Sequence, residues 1–459
     1  MRTSSRLGVL LATAVTVAGV TALVLQDEPP AAPSATPSPS VAPVRPALLP
    51  ALEESAPLPT PAGLRPALEE ALAHPAIAGR LAVSLVDTET GTTVYERGAA
   101  TPLLPASTAK IATAVAALTA LPPEQRLTTR VMAGATPGEV VLVGGGDPTL
   151  AGPKAPATYP APARLTDLAA RTRAALGTTA VTRVLVDESL YSGERLADGW
   201  KDSYVTEGAV APVGPLSVDG GRVRPDRVRR HLDPAVAAGQ AFAALLGASV
   251  EVVAGTAPPG ATELASVVSP PVPLLVERML ARSDNDLAEA LARHVAISQG
   301  QPASFAGAAA AVRDVLGPYL DEVGVGRDAV ALVDGSGLSR LNRLEPAALT
   351  RLLAAVAADD GSPTAERLTP VLAGLPVAGF TGTLSDRYRE GDSLPAAGVV
   401  RAKTGTLNGV SALAGLVRTA DGRLLAFDLT ADGVPSGATR QAEAALDRLA
   451  AALAACGCR

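Results

Sequence analysis

The sequence predicts an α/β (α+β) fold, with one sheet assembled from both ends of the chain and the middle of the chain inserted into it. Three observations carry this. Two β-rich runs, 81–87 (LAVSLVD) and 92–97 (TTVYER), open the folded part and flank the turn residues 88–91. Three more, 398–405 (GVVRAKTG), 410–419 (VSALAGLVRT) and 423–432 (RLLAFDLTAD), lie near its end, the last two joined at Asp421-Gly422. Between the two groups, from Leu127 to Val268, short strand-like runs at 129–134, 139–145 and 182–189 alternate with Pro- and Gly-rich turns.

The chain opens differently. Arg2 and Arg6 precede nineteen uncharged residues, Leu7 to Leu25, long enough to span a bilayer. With cations only on the N-terminal side, everything after residue 26 is expected outside the cytoplasm. No small-x-small cleavage site closes the run, so an uncleaved anchor is favoured over a cleaved signal peptide. Glu28 to Pro50 holds eight prolines in 23 residues and reads as an extended stalk. The expected organisation is therefore an anchor or signal at 1–27 and a stalk at 28–60. The first part of the main domain follows at 61–126, the inserted region at 127–268, and the second part of the main domain at 269–459.

Within the main domain, a helix-like stretch at 63–73 precedes the first strands. The run 110–121 (KIATAVAALTAL) is a strongly apolar helix, 286–297 (DLAEALARHVAI) is a second, and a last helix runs from Thr439 to Ala454. Only 11 residues are aromatic in a chain that is 47% hydrophobic, so Ala, Val and Leu must build the core. A net charge of −6 and a pI near 5.3 argue against nucleic acid as a partner. The only cysteines are Cys456 and Cys458. They are too few for a zinc site, and their spacing makes an unstrained disulfide hard to form, so the tail is expected to fray.

Four lysines stand against 35 arginines. Two of the four fall in motifs: Ser107-Thr108-Ala109-Lys110 at the start of the apolar helix, and Lys403-Thr404-Gly405 at a strand. Between them lies Ser283-Asp284-Asn285. Singly each motif is weak, because helix capping or a strand end explains it. In this order, each on the expected element, the three resemble the signature of active-site serine β-lactamases and penicillin-binding proteins.

The chemistry is coherent. A serine hydroxyl needs a neighbouring base. Arginine cannot be that base, but a desolvated lysine can. Lys110, three residues after Ser107, shares its helix face. Desolvation and the charge of Lys403 are both expected to lower its pKa. The expected roles are Ser107 as nucleophile, Lys110 as base, Ser283 as proton relay, and Asn285 as a hold on a substrate carbonyl. Lys403 and Thr404, with Gly405, are expected to take a terminal carboxylate. The N–H groups of Ser107 and Thr406 are expected to form an oxyanion hole worth about 3–4 kcal/mol per donor. A Ser-His-Asp triad is excluded, since His74, His231 and His294 lie in no partner pattern. No metal-ligand spacing occurs and no cofactor is implied. Gly144-Gly145-Gly146-Asp147 lacks the Lys-Ser/Thr of a phosphate loop and reads as a turn.

Three longer strings, 143–150 (VGGGDPTL), 334–343 (DGSGLSRLNR) and 379–387 (GFTGTLSDR), extend the resemblance across about 80–455. The chain is similar to the low-molecular-mass class C penicillin-binding proteins, which are D-alanyl-D-alanine carboxypeptidases and endopeptidases. The resemblance implies a penicillin-binding/serine β-lactamase-like fold: a five-stranded antiparallel sheet with helices on both faces and one or two domains inserted after the Ser-x-x-Lys helix. It implies peptidoglycan stem peptides as substrates and β-lactams as covalent inhibitors. Class A β-lactamases share the literal Ser-Asp-Asn but have a much shorter gap than the 172 residues between Lys110 and Ser283. The stretch from Leu216 to Pro234 is short, so a smaller third domain is expected to be reduced. The alternatives are a non-catalytic binding module, against which the Ser-Lys pair argues, and a β-lactamase, for which no extra deacylating base is evident.

Overall fold

A computed structural model describes residues 56–358 and 361–458. The expected anchor at 7–25 and the Pro-rich stalk at 28–50 lie outside the described residues. Among those described, no helix is long and apolar enough to cross a membrane.

In chain order, helix α1 (Pro61–Leu72) precedes strands β1 (Arg80–Asp87) and β2 (Thr93–Arg97). Helix α2 (Ala109–Ala120) leads into a middle region. That region comprises β3 (Thr128–Ala133), β4 (Glu139–Val143), α3 (Leu165–Leu176), β5 (Arg183–Asp187), the single turn α4 (Tyr204–Glu207), α5 (Pro234–Leu245), β6 (Glu251–Ala254) and β7 (Glu263–Val268). Helices α6 (Val272–Arg282), α7 (Asn285–Ser298) and α8 (Phe305–Glu322) follow, then the short pair β8 (Val330–Ala331) and β9 (Arg343–Leu344). The chain continues with α9 (Pro346–Ala357) and α10 (Pro363–Gly374). It ends with β10 (Arg401–Leu407), β11 (Val410–Arg418), β12 (Leu424–Asp432) and α11 (Thr439–Ala455).

The main sheet has the order β10-β11-β12-β1-β2, antiparallel throughout. Its first strand pairs with its last in the register Arg80↔Asp432 to Asp87↔Leu425. This is the sheet built from both chain ends that the β-rich runs predict. Alternation along the strands sends side chains to two cores. Leu413, Val417, Leu425, Phe427 and Leu429 face α1 and α11. Ala414, Leu416, Leu424 and Ala426 face α2 and the helices from α6 to α10. Ten of the twelve residues of α2 are buried. A helix apolar all round belongs at the centre, with helices outside it. The ion pair of Arg423 with Asp87, a 2.7 Å Nη2–Oδ2 contact on nearly inaccessible side chains, pins the β11–β12 turn to the end of β1. Burial pushes the Asp87 carboxyl up, but the Arg423 and Thr90 hydrogen bonds outweigh it and hold the group below its usual range.

The middle region forms a second sheet, β6-β5-β4-β3-β7. The β4–β5 and β5–β6 pairs are parallel. Parallel neighbours need crossover connections, which α3 and α5 supply, and both helices pack into this sheet's own core with Leu168, Ala169, Ala238 and Phe242. The C-terminal tail departs from expectation. Rather than fraying, it is tied down by backbone hydrogen bonds from Ala420 N–H to Cys456 O and from Thr60 N–H to Cys458 O. Cys456 packs against the α1–α11 side of the sheet, and its Cα lies 5.0 Å from that of Cys458.

Asp428 lies buried in the middle of β12, with the Thr430 hydroxyl donating to it at 2.6 Å. Burial raises its pKa to about 7. The folded state therefore penalises the ionised form, and stability should fall as pH rises from about 4 to about 7 and level off above. Asp428→Asn should remove that part of the slope and stabilise the protein at pH 8 by on the order of 2–4 kcal/mol. Chemical denaturation at pH 5 and pH 8 checks this, and identical pH dependence in both proteins would rule Asp428 out as the source.

Candidate active site

Ser107 sits in a 3₁₀ turn, Ala106–Thr108, that runs directly into α2. The turn is shaped by its neighbours. Ala106 is buried at φ 49°, a conformation an L-residue adopts only when the surroundings impose it. Gly337 presses against it: a Cβ at 337 would fall 1.9 Å from the Ala106 carbonyl oxygen, and Gly337 itself has φ 84°. From the other side, a Cβ on Gly405 would lie 2.7 Å from Pro105 O. The Thr108 hydroxyl donates to Pro105 O at 2.7 Å and closes the turn. Ser107 remains partly exposed.

Lys110 is fully buried. Its Nζ lies 3.1 Å from Ser107 Oγ, 2.6 Å from Asn285 Oδ1 and 2.6 Å from the Ser336 carbonyl oxygen. Burial lowers its pKa to about 8, against the opposing pull of the Asp334, Glu289, Asp284 and Asp286 carboxylates. Asn285 is the first residue of α7, and its other end donates from Nδ2 to Ala209 O at 2.9 Å. Ser336 O is placed by a buried carboxylate pair. Glu289 accepts the N–H groups of Gly335 (3.1 Å) and Ser336 (2.8 Å). Asp334 accepts those of Gly337 and Ser339, the Asn342 amide and the Trp200 indole N–H, at 2.6–2.8 Å. Burial, then the nearby Asp334 charge, lifts Glu289 to about 7.

Lys403 is also fully buried, on the edge strand β10. Its Nζ donates to Ser283 Oγ at 2.9 Å and Thr404 O at 2.8 Å. Burial and then the repulsion of Lys110 hold its pKa well below the ordinary lysine value. Ser283 ends α6 in the left-handed conformation, φ 54°, which turns the chain so that Asp284 can cap α7 by accepting Leu287 N–H.

The structure therefore joins Ser107, Lys110 and Asn285 in one hydrogen-bonded group and Ser283 with Lys403 in a second. Repulsion between the two lysines links the groups. Thr404 Oγ1 lies 2.8 Å from Thr383 Oγ1, and the Thr406 hydroxyl turns away to Glu443 at 2.8 Å. Ser283 is hydrogen-bonded to Lys403, and Asn285 is engaged at both ends, leaving one N–H of Nδ2 for a ligand. Among the histidines, His74 caps the short turn at 75–77, and His294 is buried against Gly145 O with its pKa lowered by burial to about 4, so neither serves Ser107. Sequence reasoning did not assign Ser336, Ala209 or Thr383. Ala209 and Ser336 act through backbone oxygens, which leave no trace in residue type. Thr383 and Ser336 do lie in the quoted strings 379–387 and 334–343.

The model of the D-Ala-D-Ala carboxypeptidase 3 (S13) family matches residues 64–232 and 225–453. The chain is 42% identical over 441 residues to carboxypeptidase DacB of Mycolicibacterium smegmatis, covering 94% of this chain and 90% of that protein. It is 30% identical over 452 residues to the D-alanyl-D-alanine carboxypeptidase of an Actinomadura species, covering 79% of each. Among solved structures, penicillin-binding protein 4 of Haemophilus influenzae superposes with a TM-score of 0.68 at 22% identity, over 84% of this chain and 97% of that one. That likeness is one of fold.

Gly337→Ala should displace Ala106 and with it Ser107, since the added carbon has only a backbone oxygen to push against. The expected result is a loss of stability of about 2–4 kcal/mol and at least a hundredfold slower acylation of Ser107. Thermal melts and the rate of covalent labelling by a β-lactam read both. Wild-type labelling would mean that the turn does not depend on this contact.

Proposed function

This chain belongs to the D-Ala-D-Ala carboxypeptidase 3 (S13) family, and we propose that it turns over peptidoglycan stem peptides through an ester on Ser107. It is a serine-type D-Ala-D-Ala carboxypeptidase. The reading of the site rests on the surroundings of Lys110 Nζ. Two of its three neighbours, Asn285 Oδ1 and Ser336 O, are carbonyl oxygens that can only accept. Nζ also donates to the third, Ser107 Oγ, at 3.1 Å. Once Lys110 loses its proton, a neutral amine satisfies both carbonyls with its two N–H bonds and is left with a lone pair for Ser107 Oγ–H. That is the geometry of a general base on its nucleophile.

In the proposed reaction, Ser107 Oγ gives its proton to Lys110 and bonds to the carbonyl carbon of the penultimate D-Ala. The N–H groups of Ser107 and Thr406 hold the oxyanion. Collapse breaks the C–N bond, and the proton on Lys110 passes to the leaving amine, with the Ser283 hydroxyl on its path. The leaving D-Ala carboxylate is held by Lys403, Thr404 and Gly405, and the Thr383 hydroxyl adjoins them. Lys403 has no carboxylate within 4.0 Å among the described residues, so a substrate carboxylate supplies its missing counter-charge. Asn285 keeps Lys110 in place and offers its remaining N–H to the acyl chain. Water then gives a proton to Lys110 and attacks the ester, and as the acyl–oxygen bond breaks Lys110 returns that proton to Ser107 Oγ. A β-lactam enters by the same first step, but its amine stays tethered to the acyl group and cannot diffuse away.

Residues 61–126 and 269–459 would form the catalytic domain, with 127–268 inserted. The chain acts outside the cytoplasm. Residues 7–25 would anchor it at the outer face of the membrane, and residues 28–60 would carry it towards its polymer. Deleting residues 1–50 should release a soluble domain with unchanged acylation, because no site residue lies there. Fractionation in the native host and N-terminal sequencing check the anchor, and a mature protein beginning between residues 27 and 45 and free in the medium would replace it with a cleaved signal.

Benzylpenicillin should label Ser107, and peptide mapping should place the adduct there. Release within seconds would make the protein a β-lactamase, and no adduct would leave only a binding role. Lys110→Arg should keep the fold and abolish labelling, because guanidinium cannot accept the proton. The base must be neutral, so kcat/KM should rise with pH through about 8. Lys403→Ala should raise KM for carboxylate-bearing peptides while the rise stays near pH 8, because burial and the Asp334, Glu289, Asp284 and Asp286 carboxylates set the Lys110 pKa. A rise displaced to higher pH would show Lys403 charged beside Lys110.

A further inference from the structure

The turn at 334–340, which presses on Ala106 through Gly337, is held from outside by a short segment of the middle region, residues 198–200. Asp198 O accepts the Ser339 hydroxyl at 2.6 Å, and Gly199 O accepts Arg340 N–H at 3.2 Å. Gly199 has φ 77°, and a Cβ there would fall 2.7 Å from Ser339 Oγ, so the two segments meet with no room for a side chain between them. The half-buried Trp200 then donates from Nε1 to Asp334 Oδ2 at 2.6 Å. Its ring stands edge-on to Phe305, the first residue of α8, with centroids 5.4 Å apart. Asp334 itself is buried, and four donors share its two oxygens. Gly337 N–H and the Asn342 amide reach Oδ1, both at 2.8 Å, while Ser339 N–H and the indole reach Oδ2, both at 2.6 Å. Three of these donors belong to the turn or adjoin it and move with it. The indole is the one that does not.

We propose that Trp200 is a positioning residue: its indole N–H fixes Asp334 and the turn wound around it, and through that turn the placement of Lys110 Nζ and Ser107 Oγ. The inference rests on the reading of Ser107 and Lys110 as nucleophile and base. Two short links run from the carboxylate to those groups. Ser336 O, two residues on from Asp334, accepts Lys110 Nζ at 2.6 Å. Gly337, the next residue, backs against Ala106, which directly precedes Ser107. A buried carboxylate that loses a donor is left short of hydrogen bonds and moves to find another. Gly337 has no space in which to absorb such a movement, so it passes to the nucleophile as well as to the base. The effect falls on bond making rather than on recognition, because the indole acts through Asp334 and not on the substrate.

The test uses the full chain and replaces Trp200 in two ways. Trp200→Phe removes the N–H and trims the ring. Site-specific incorporation of 3-benzothienylalanine at position 200 keeps the shape of the indole and its packing on Phe305 but puts sulfur where the N–H was. With a slowly acylating β-lactam, the rate constant for acylation of Ser107 should fall by about tenfold to a hundredfold in both, while the dissociation constant of the complex that precedes the covalent step stays within about twofold of wild type. Val184→Ala, in the middle region's own core, is the control for a general loss of stability and should acylate at the wild-type rate. Thermal melts on the same samples show how much stability each change removes. The chain holds a single tryptophan, so one indole N–H resonance reports the bond directly, and it should lie downfield of free indole in the wild type. An unchanged rate constant in the benzothienyl protein would overturn the proposal. So would a weakened first complex with an unchanged rate constant, which would make Trp200 a substrate contact, or equal slowing in Val184→Ala. Absence of Ser107 labelling in the wild type would overturn the catalytic reading instead.

Discussion

Two buried lysines without a carboxylate partner are the constraint around which this molecule is arranged. Lys110 and Lys403 are both inaccessible to solvent, and among the described residues no carboxylate oxygen lies within 4.0 Å of either Nζ. An isolated buried ammonium is expensive, and such a group lowers its pKa rather than keep its charge. A fold that needed only stability would have replaced both with apolar residues. Carbonyl and hydroxyl oxygens surround them instead, which satisfy N–H bonds without supplying negative charge. The carboxylates of Asp334 and Glu289 are near enough to pull on Lys110, yet they spend their oxygens on backbone N–H groups of the 334–339 turn. The turn is rigid because of them, and the lysine amine stays available because they do not touch it.

Much of the fold was legible in the chain. The five strands of the main sheet are the five β-rich runs, and the apolar run after Ser107 is the central helix. Both follow from periodicity, which records burial directly. The middle region was harder. Its strands were visible, but its parallel pairing was not, because pairing partners depend on the α3 and α5 crossovers and a local pattern does not say which neighbour a strand will choose. The tail around Cys456 and Cys458 read as frayed because its anchors, Thr60 and Ala420, act through backbone groups 398 and 36 residues away from their partners.

The site was legible in a different way. Ser107, Lys110, Ser283, Asn285 and Lys403 could be named because each contributes a side chain whose type is chemically constrained. Their wiring could not. The sequence names Ser283 as a proton relay without saying what holds it; the structure hydrogen-bonds it to Lys403 and gives Lys110 the carbonyl of Ser336. A backbone oxygen can come from any residue, so no motif announces it. What does show is the glycine that makes room. Gly337, whose added Cβ would strike Ala106, is the trace in the sequence of a turn pressed against the nucleophile.

The middle region does more than enlarge the molecule. Ala209, within it, accepts the Asn285 amide, and Ala211 N–H binds Asp286 at 2.8 Å. Arg230, also within it, holds the other Asp286 oxygen in a buried ion pair. These three contacts fix the first turn of α7 from outside the catalytic helices, and the rotamer of Asn285 with it. Because Asn285 Oδ1 is one of the acceptors that hold Lys110 Nζ, the position of that nitrogen depends on a segment far from Ser107 in sequence. A middle region that held its own fold but shifted relative to α7 would leave every motif intact and the proposed base, Lys110, misdirected. The Ser-x-x-Lys pair is thus a local feature of one helix, but its reactivity depends on the whole assembled domain.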